Sequence, residues 1–239
     1  MNRKMPTLRR VAPAIAAAAL LALTGCFSLG RTEPPTRHYV LGGGEVQQSG
    51  ALPEALSGLA IGVRRIRLAS YLDPPFLAVR EHGHEITFSE FERWGEPLGA
   101  GINRATIEHL GRRGAFRAID VAPWPARESY DYVIQLHVER FEGVAPEEGP
   151  SAGGSVHMLI SWELLRQTEG GVLARGTTEY RDPRWEVGDY DALVRSLDAG
   201  LIVLATDLAS ALEQLAAGGA TPPPIESGQT TSSLELPLR

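Results

Sequence analysis

"YDYVIQLHVERFEG" (130–143) and "SVHMLISWELLRQ" (155–167) decide the fold. In the first, Tyr132, Ile134, Leu136 and Val138 fall on every second residue. In the second, Val156, Met158, Ile160, Trp162 and Leu164 do the same. Alternate residues of a strand point to one face. Each segment therefore reads as a strand with one apolar and one polar face, the antiparallel pattern of a sheet covered on a single side. A turn around "TEGG" (168–171) leads into a third strand, "VLARGTTEYRD" (172–182).

Such a sheet needs a cover, and one lies just downstream. Leu193, Leu197, Leu201, Leu204, Leu208, Leu212 and Leu215 recur every three or four residues, the spacing of an amphipathic helix. Asp189 or Asp191 can cap its start. A coiled-coil seam would carry a similar stripe. The preceding strands require an apolar partner, however, so a helix over 190–216 is expected to lie across them.

Working back toward the N-terminus, "FRAIDVAP" (116–123) is a short strand. "EPLGAGINRATIEHLGRRG" (96–114) is helical, with Leu98, Ile102, Thr106 and Leu110 on one stripe and Gly111 or Gly114 as its cap. "FLAVREHGHEITFSEFERW" (76–94) reads as a hairpin with Gly83 at its tip. "GLAIGVRRIRLASYL" (58–72) is a strand with a fault. Leu59, Ile61 and Val63 alternate, then Ile66 and Leu68 alternate with the opposite parity. One extra residue near Arg64-Arg65 would do this, as a bulge or kink. "HYVLGG" (38–43) is a short strand ended by glycines. The expected fold class is α/β: one domain, a mixed or largely antiparallel sheet, and two main helices, 96–113 and 190–216. No repeat of solenoid length is visible.

The first 25 residues follow a different logic. Arg3, Lys4, Arg9 and Arg10 precede an uncharged stretch from Val11 to Thr24, the pattern of a secretory signal peptide. Its apolar run of about 13 residues is short of the roughly 20 that a membrane span needs. Leu23-Thr24-Gly25-Cys26 looks like a bacterial lipobox, with cleavage before Cys26 and acylation of its thiol and new amine. Cys26 is the only cysteine in the chain, so no disulfide competes for it. Two or three acyl chains, palmitate among them, suffice for stable anchoring. Phe27 follows, where an Asp would typically retain a lipoprotein in the inner membrane. The expected location is thus the periplasmic face of the outer membrane of a Gram-negative bacterium.

The chain divides accordingly into a lipoprotein signal peptide (1–25), the lipidated Cys26 with a tether (26–36), a folded domain (37–217) and a disordered tail (218–239) rich in Pro, Ser and Thr. Beyond residue 25 there are 19 arginines and 29 acidic residues. That balance disfavours nucleic acid as a partner. It also disfavours a polybasic grip on anionic lipid.

Catalytic signatures are missing. There is no Gly-x-Ser-x-Gly elbow, no Ser-x-x-Lys and no phosphate-binding loop. His82-x-His84 is the best metal pairing, but Gly83 marks a turn tip and no third ligand is suitably spaced. No metal or other cofactor is expected. Glu90, Glu92 and Glu96 around Trp94 form no distinguishable acid–base pair. His109, His137 and His157 are expected on polar faces or in structural hydrogen bonds.

One block is more specific. Tyr71-Leu72-Asp73, Pro75, Phe91, Trp94 and Glu96-Pro97-Leu98 form a Tyr-Leu-Asp-x-Pro, strand, turn, aromatic-x-x-Trp-x-Glu-Pro-Leu pattern before a helix. Tyr39-Val40-Leu41, Arg140-Phe141, the Trp162 strand and the closing helix accompany it. Over roughly 38–215 the chain resembles the ABC-type transport auxiliary lipoproteins, the PqiC-like family. The tail after 217 lies outside the pattern.

The resemblance implies a non-enzymatic auxiliary component of an ABC/MCE system moving lipids or other hydrophobic molecules between membranes. Its implied partners are an MCE-domain protein and the ABC permease and ATPase, with a homo-oligomer as a further option. Two other functions stay open: a carrier that itself holds a hydrophobic ligand, and a tethered envelope enzyme. Trp94 is the candidate partner-binding residue, either a core side chain at a strand–helix junction or an exposed anchor. An apolar cavity of several hundred Å³ would favour the carrier, and a filled core the adaptor.

Overall fold

Strand β7 (Tyr132–Val144) is the axis of the molecule. The structure, a computed structural model, describes residues 35–43, 52–125, 129–147, 153–167 and 171–218. One edge of β7 pairs antiparallel with β8 (Gly154–Leu165), and β8 pairs antiparallel with β9 (Val172–Trp185). The other edge is shared by three successive strands parallel to it. They are β2 (Ala60–Val63), β3 (Arg67–Leu68) and β4 (Phe76–Glu81). Outside β2 lies β6 (Ala118–Val121), parallel. Outside β4 lies β5 (Glu85–Trp94), antiparallel, and then β1 (Arg37–Tyr39), parallel. The nine strands form one mixed sheet.

The parity switch in 58–72 is a real insertion. Val63 lies opposite Ile134 and Arg67 opposite His137, so four steps along one chain match three along the other. The extra residue ends β2 and restarts the chain as β3. A second insertion sits on β7 itself. Val138 faces Ile160 while Arg140 faces Leu159, leaving Glu139 bulged out. A bulge turns later side chains over. Phe141 therefore joins the apolar core, and Glu142 goes to the opposite face.

The hairpin turns as its glycine requires: Glu81 pairs with Glu85, and His82 and Gly83 have φ of 47° and 75°. Helix α1 (Leu98–Gly111) buries Leu98, Ile102, Thr106 and Leu110. Its expected glycine cap is absent. Arg112 ends it in a right-handed conformation. Gly114 is needed for a different reason: a Cβ there would stand 2.8 Å from Leu56.

Helix α2 (Tyr190–Ala216) starts at Asp189, whose side chain accepts a hydrogen bond from the Ala192 N–H at 2.9 Å. Leu193, Leu197, Leu201, Leu204, Leu208 and Leu212 are buried, and Leu215 is half-buried. They pack into a continuous core with β7, β8 and α1. The helix is thus the cover for the strands.

Candidate functional site

The blocks that carried the sequence resemblance are far apart in the chain, yet they meet at the β7 bulge. Trp94, at the end of β5, packs on Phe141 with ring centroids 6.0 Å apart. On the opposite face the carboxylate of Glu142 has no exposed surface. Arg80 from β4 donates to it through Nε at 2.6 Å and Nη2 at 3.3 Å. Tyr71 donates its hydroxyl at 2.6 Å, and Arg140 Nη1 stands 3.8 Å away. A buried carboxylate is tolerated only when paired and hydrogen-bonded like this. Burial first, then the Glu142 carboxylate, hold the Tyr71 phenol well above its ordinary range. It stays a neutral donor. The cluster therefore clamps the Ser70–Leu72 turn, β4 and β7 together and offers no activated nucleophile.

Beside it, His157 on β8 is buried, with Nε2 2.9 Å from Glu179 and Nδ1 3.5 Å from Arg140. Burial first, then the charge of Arg181, lower its pKa. A neutral ring carrying its proton on Nε2 satisfies both contacts. His109, on α1, links the helices: its Nε2 lies 3.2 Å from Asp198 of α2. Asp198 also accepts from the Gly42 N–H at 2.8 Å. Burial opposes its ionisation, but the bonds from His109 and Gly42 win and hold its pKa below the ordinary value. Arg104 to the Leu41 carbonyl (2.7 Å) and Arg37 to Asp191 (2.5 Å) complete the ties between the incoming chain and the helices.

Two open hollows flank the β2–β3 break. One, about 890 Å³, runs between α1, β3 and β6 over Ile66, Leu68, Ile107 and Val121, with Asp73, Glu96 and Asp120 among its lining. The other, about 700 Å³, is walled by Arg64, Arg65, Arg67, Trp124, Gln135 and Glu163. Neither brings a nucleophile and a base together. Among the described residues no group of three or more His, Cys, Asp or Glu side chains is placed to hold a metal ion, and no helix is long and apolar enough to cross a membrane.

Of the residues singled out by sequence, Cys26 lies outside the described residues, as do the signal peptide and residues 219–239 of the tail. Trp94 is 6% exposed. That is the core alternative. As an exposed anchor it is corrected, because Phe141 and the strand–helix junction enclose it. His82 and His84 stand exposed at the hairpin tip. Glu90 is exposed, and Glu96 pairs with Arg104 at 2.6 Å. The Tyr71–Arg80–Glu142 cluster and the Arg64–Arg67 wall were not singled out. The jump in apolar parity from Val138 to Phe141 is the sequence signal for the first.

Comparison with known proteins places these features in a family. A family model described as "ABC-type transport auxiliary lipoprotein component" matches residues 39–209. Among solved structures, protein XCC0632 from Xanthomonas campestris is 17% identical, with a TM-score of 0.58 over 77% of this chain and 96% of that one. A second crystal structure, of an uncharacterized protein, is 16% identical, with a TM-score of 0.54 over 74% of this chain and 98% of that one. At these identities the likeness is one of fold. Comparison with curated protein sequences finds no match.

Proposed function

The chain belongs to the family of ABC-type transport auxiliary lipoprotein components, and from that premise we propose that it is the lipid-anchored, non-enzymatic docking component of an MCE-type system moving lipid or another hydrophobic molecule across the periplasm. Cys26 carries the anchor in the outer membrane. The folded domain meets the MCE-domain protein, and the partner ATPase supplies the energy. The observation that carries this reading is the match over 39–209. It includes both helices' buried stripes up to Ala209, and their core is continuous.

The carrier reading ranks behind. It needs a cavity that shields an acyl chain from water. The larger hollow is open, and Asp73, Glu96 and Asp120 belong to its lining. Desolvating those carboxylates against hydrocarbon would be costly. The test is capture of the periplasmic part of the co-encoded MCE protein by the purified protein, together with assays for esterase and glycosidase turnover. Capture without turnover supports the docking role. Measurable hydrolysis and no capture replace it with an enzyme.

A further inference from the structure

We propose that the hollow at the β2–β3 break is a docking site for an extended, acidic and apolar segment of a partner protein, held by Arg64, Arg65 and Arg67. The proposal rests on the docking reading above and gives it a surface.

The insertion that separates β2 from β3 places three arginines within four residues, all exposed. None of their side chains makes a hydrogen bond or ion pair among the described residues. Arg113 and Arg195 also have no carboxylate partner among the described residues, but they stand apart from each other in the chain; only here are three such arginines clustered. Arg37, Arg80, Arg104, Arg140, Arg181 and Arg184 each lie against a carboxylate, in a chain with more acids than bases. Three adjacent unpaired guanidinium groups make a local positive field on an otherwise acidic protein, which steers an anionic partner to this place.

The wall beside them is built to receive a side chain. Trp124 donates its indole N–H to the Asp120 carbonyl at 3.1 Å and packs on Tyr130 at 5.3 Å, so its ring is fixed. Trp and Arg are the residue types that dominate interface energies. Glu163 is the one carboxylate in this wall. Arg65 and Ala122 line both hollows, so the cationic end runs into the apolar floor of Ile66, Leu68, Ile107 and Val121.

The chemistry of the floor selects the occupant. Asp120 accepts from the Tyr130 hydroxyl and Glu96 is held by Arg104, but Asp73 has no side-chain partner among the described residues. An acyl chain would desolvate that carboxylate and return nothing. A polypeptide brings N–H groups that can meet it. The floor also ends on β6, which among the described strands pairs with β2 alone. An extended segment can add to such an edge.

The experiment uses the acylated protein in dodecyl maltoside and a fluorescein-labelled peptide of alternating Asp and Leu, read by anisotropy. A Lys-Leu peptide, phosphatidylglycerol added to the micelles and the MCE protein are the comparison probes. The triple variant Arg64→Glu/Arg65→Glu/Arg67→Glu is compared with Arg184→Glu/Arg195→Glu on β9 and α2, with melting temperatures confirming both folds. The Asp-Leu peptide is expected to bind wild type and the control variant. It should bind the triple variant at least about tenfold more weakly, and the Lys-Leu peptide should not bind. Equal peptide binding by the triple variant, or none by wild type, overturns the proposal. Arginine-dependent binding of phosphatidylglycerol without peptide binding reassigns the site to a lipid headgroup and also overturns it. If wild type captures the MCE protein and the triple variant captures it equally, this site falls while the docking reading stands. If the peptide binds through the arginines and the MCE protein is not captured, the site stands and its partner is another protein.

Discussion

Tyr71 and Glu142 are joined by a hydrogen bond of 2.6 Å from the turn before β4 to the far end of β7. Arg80 closes on the same carboxylate, also at 2.6 Å. Together they fix how β4 is laid against β7, a pairing of only two residues, Val79 with Gly143 and Arg80 with Val144.

Removing the cation should expose how much the clamp matters. Arg80→Ala leaves a buried carboxylate without its main partner, so it should lower stability by about 3–5 kcal/mol. Arg80→Ala/Glu142→Gln should recover part of that loss. Urea unfolding measures both. A single variant within 1 kcal/mol of wild type, on the order of a surface change, would show that the carboxylate is not held as described.

The same cluster makes stability fall in alkali. The folded Tyr71 pKa is raised, by burial first and then by Glu142. An unfolded tyrosine ionises near pH 10. Above about pH 10 the unfolded state therefore holds fewer protons than the native state, and stability drops as pH rises. Tyr39 and Tyr190 shift the same way, chiefly through burial. Melting temperature followed from pH 8 to 11 should decline, and less steeply in Tyr71→Phe.

Acid should weaken the fold through His157, whose folded pKa is lowered by burial and by Arg181. Below about pH 6.5 the unfolded imidazole takes a proton that the folded ring resists, so stability falls as pH drops. His157→Gln should flatten the melting-temperature profile between about pH 7 and pH 5, the window of histidine titration. An unchanged slope would count against the neutral ring.

Trp94→Ala should cost about 3–5 kcal/mol, the usual price of emptying a large aromatic site. Thermal unfolding tests this directly. Because Trp94 is 6% exposed and lies on Phe141, any loss of partner capture should track the loss of folded protein. A variant that melts like wild type but no longer captures the MCE protein would restore Trp94 as an interface residue.

Cys26→Ala should abolish acylation and leave the signal peptide uncleaved by the lipoprotein peptidase. Mass measurement on fractionated cells reports both. A normally matured, membrane-recovered variant would remove the anchor from the proposed function.

The large elements were legible because their signals are local. The leucine stripe of α2, the alternation of β8 and the glycine turn at 82–83 each lie within one short window. Even the β2–β3 insertion could be read, since apolar parity changes between Val63 and Ile66. What could not be read depends on distant partners. Glu142 looks like a solvated strand residue until Arg80, 62 positions earlier, is beside it. Gly114 resembles a helix cap, but its need for a missing side chain is set by Leu56. The cationic wall was visible only as a fault in a strand, because Trp124 and Gln135 reach it from β6's exit and from β7.

An edge of β7 filled by three separate strands also dictates when the sheet can form. Ile61 waits for Tyr132, Arg67 for His137 and Val79 for Gly143. These are non-local contacts, which close slowly because a long loop must be ordered before they form. While the chain is being made, β2, β3 and β4 have no β7 to join until the codons for 132–144 have been read. A nascent chain cut off before that point lacks the strand that joins the β4–β5 hairpin to the β2–β6 pair, and β3 has no partner at all. The first half of the protein can therefore close only its own pairings, β4 with β5 and β2 with β6 among them, and its final sheet order is decided by the second half.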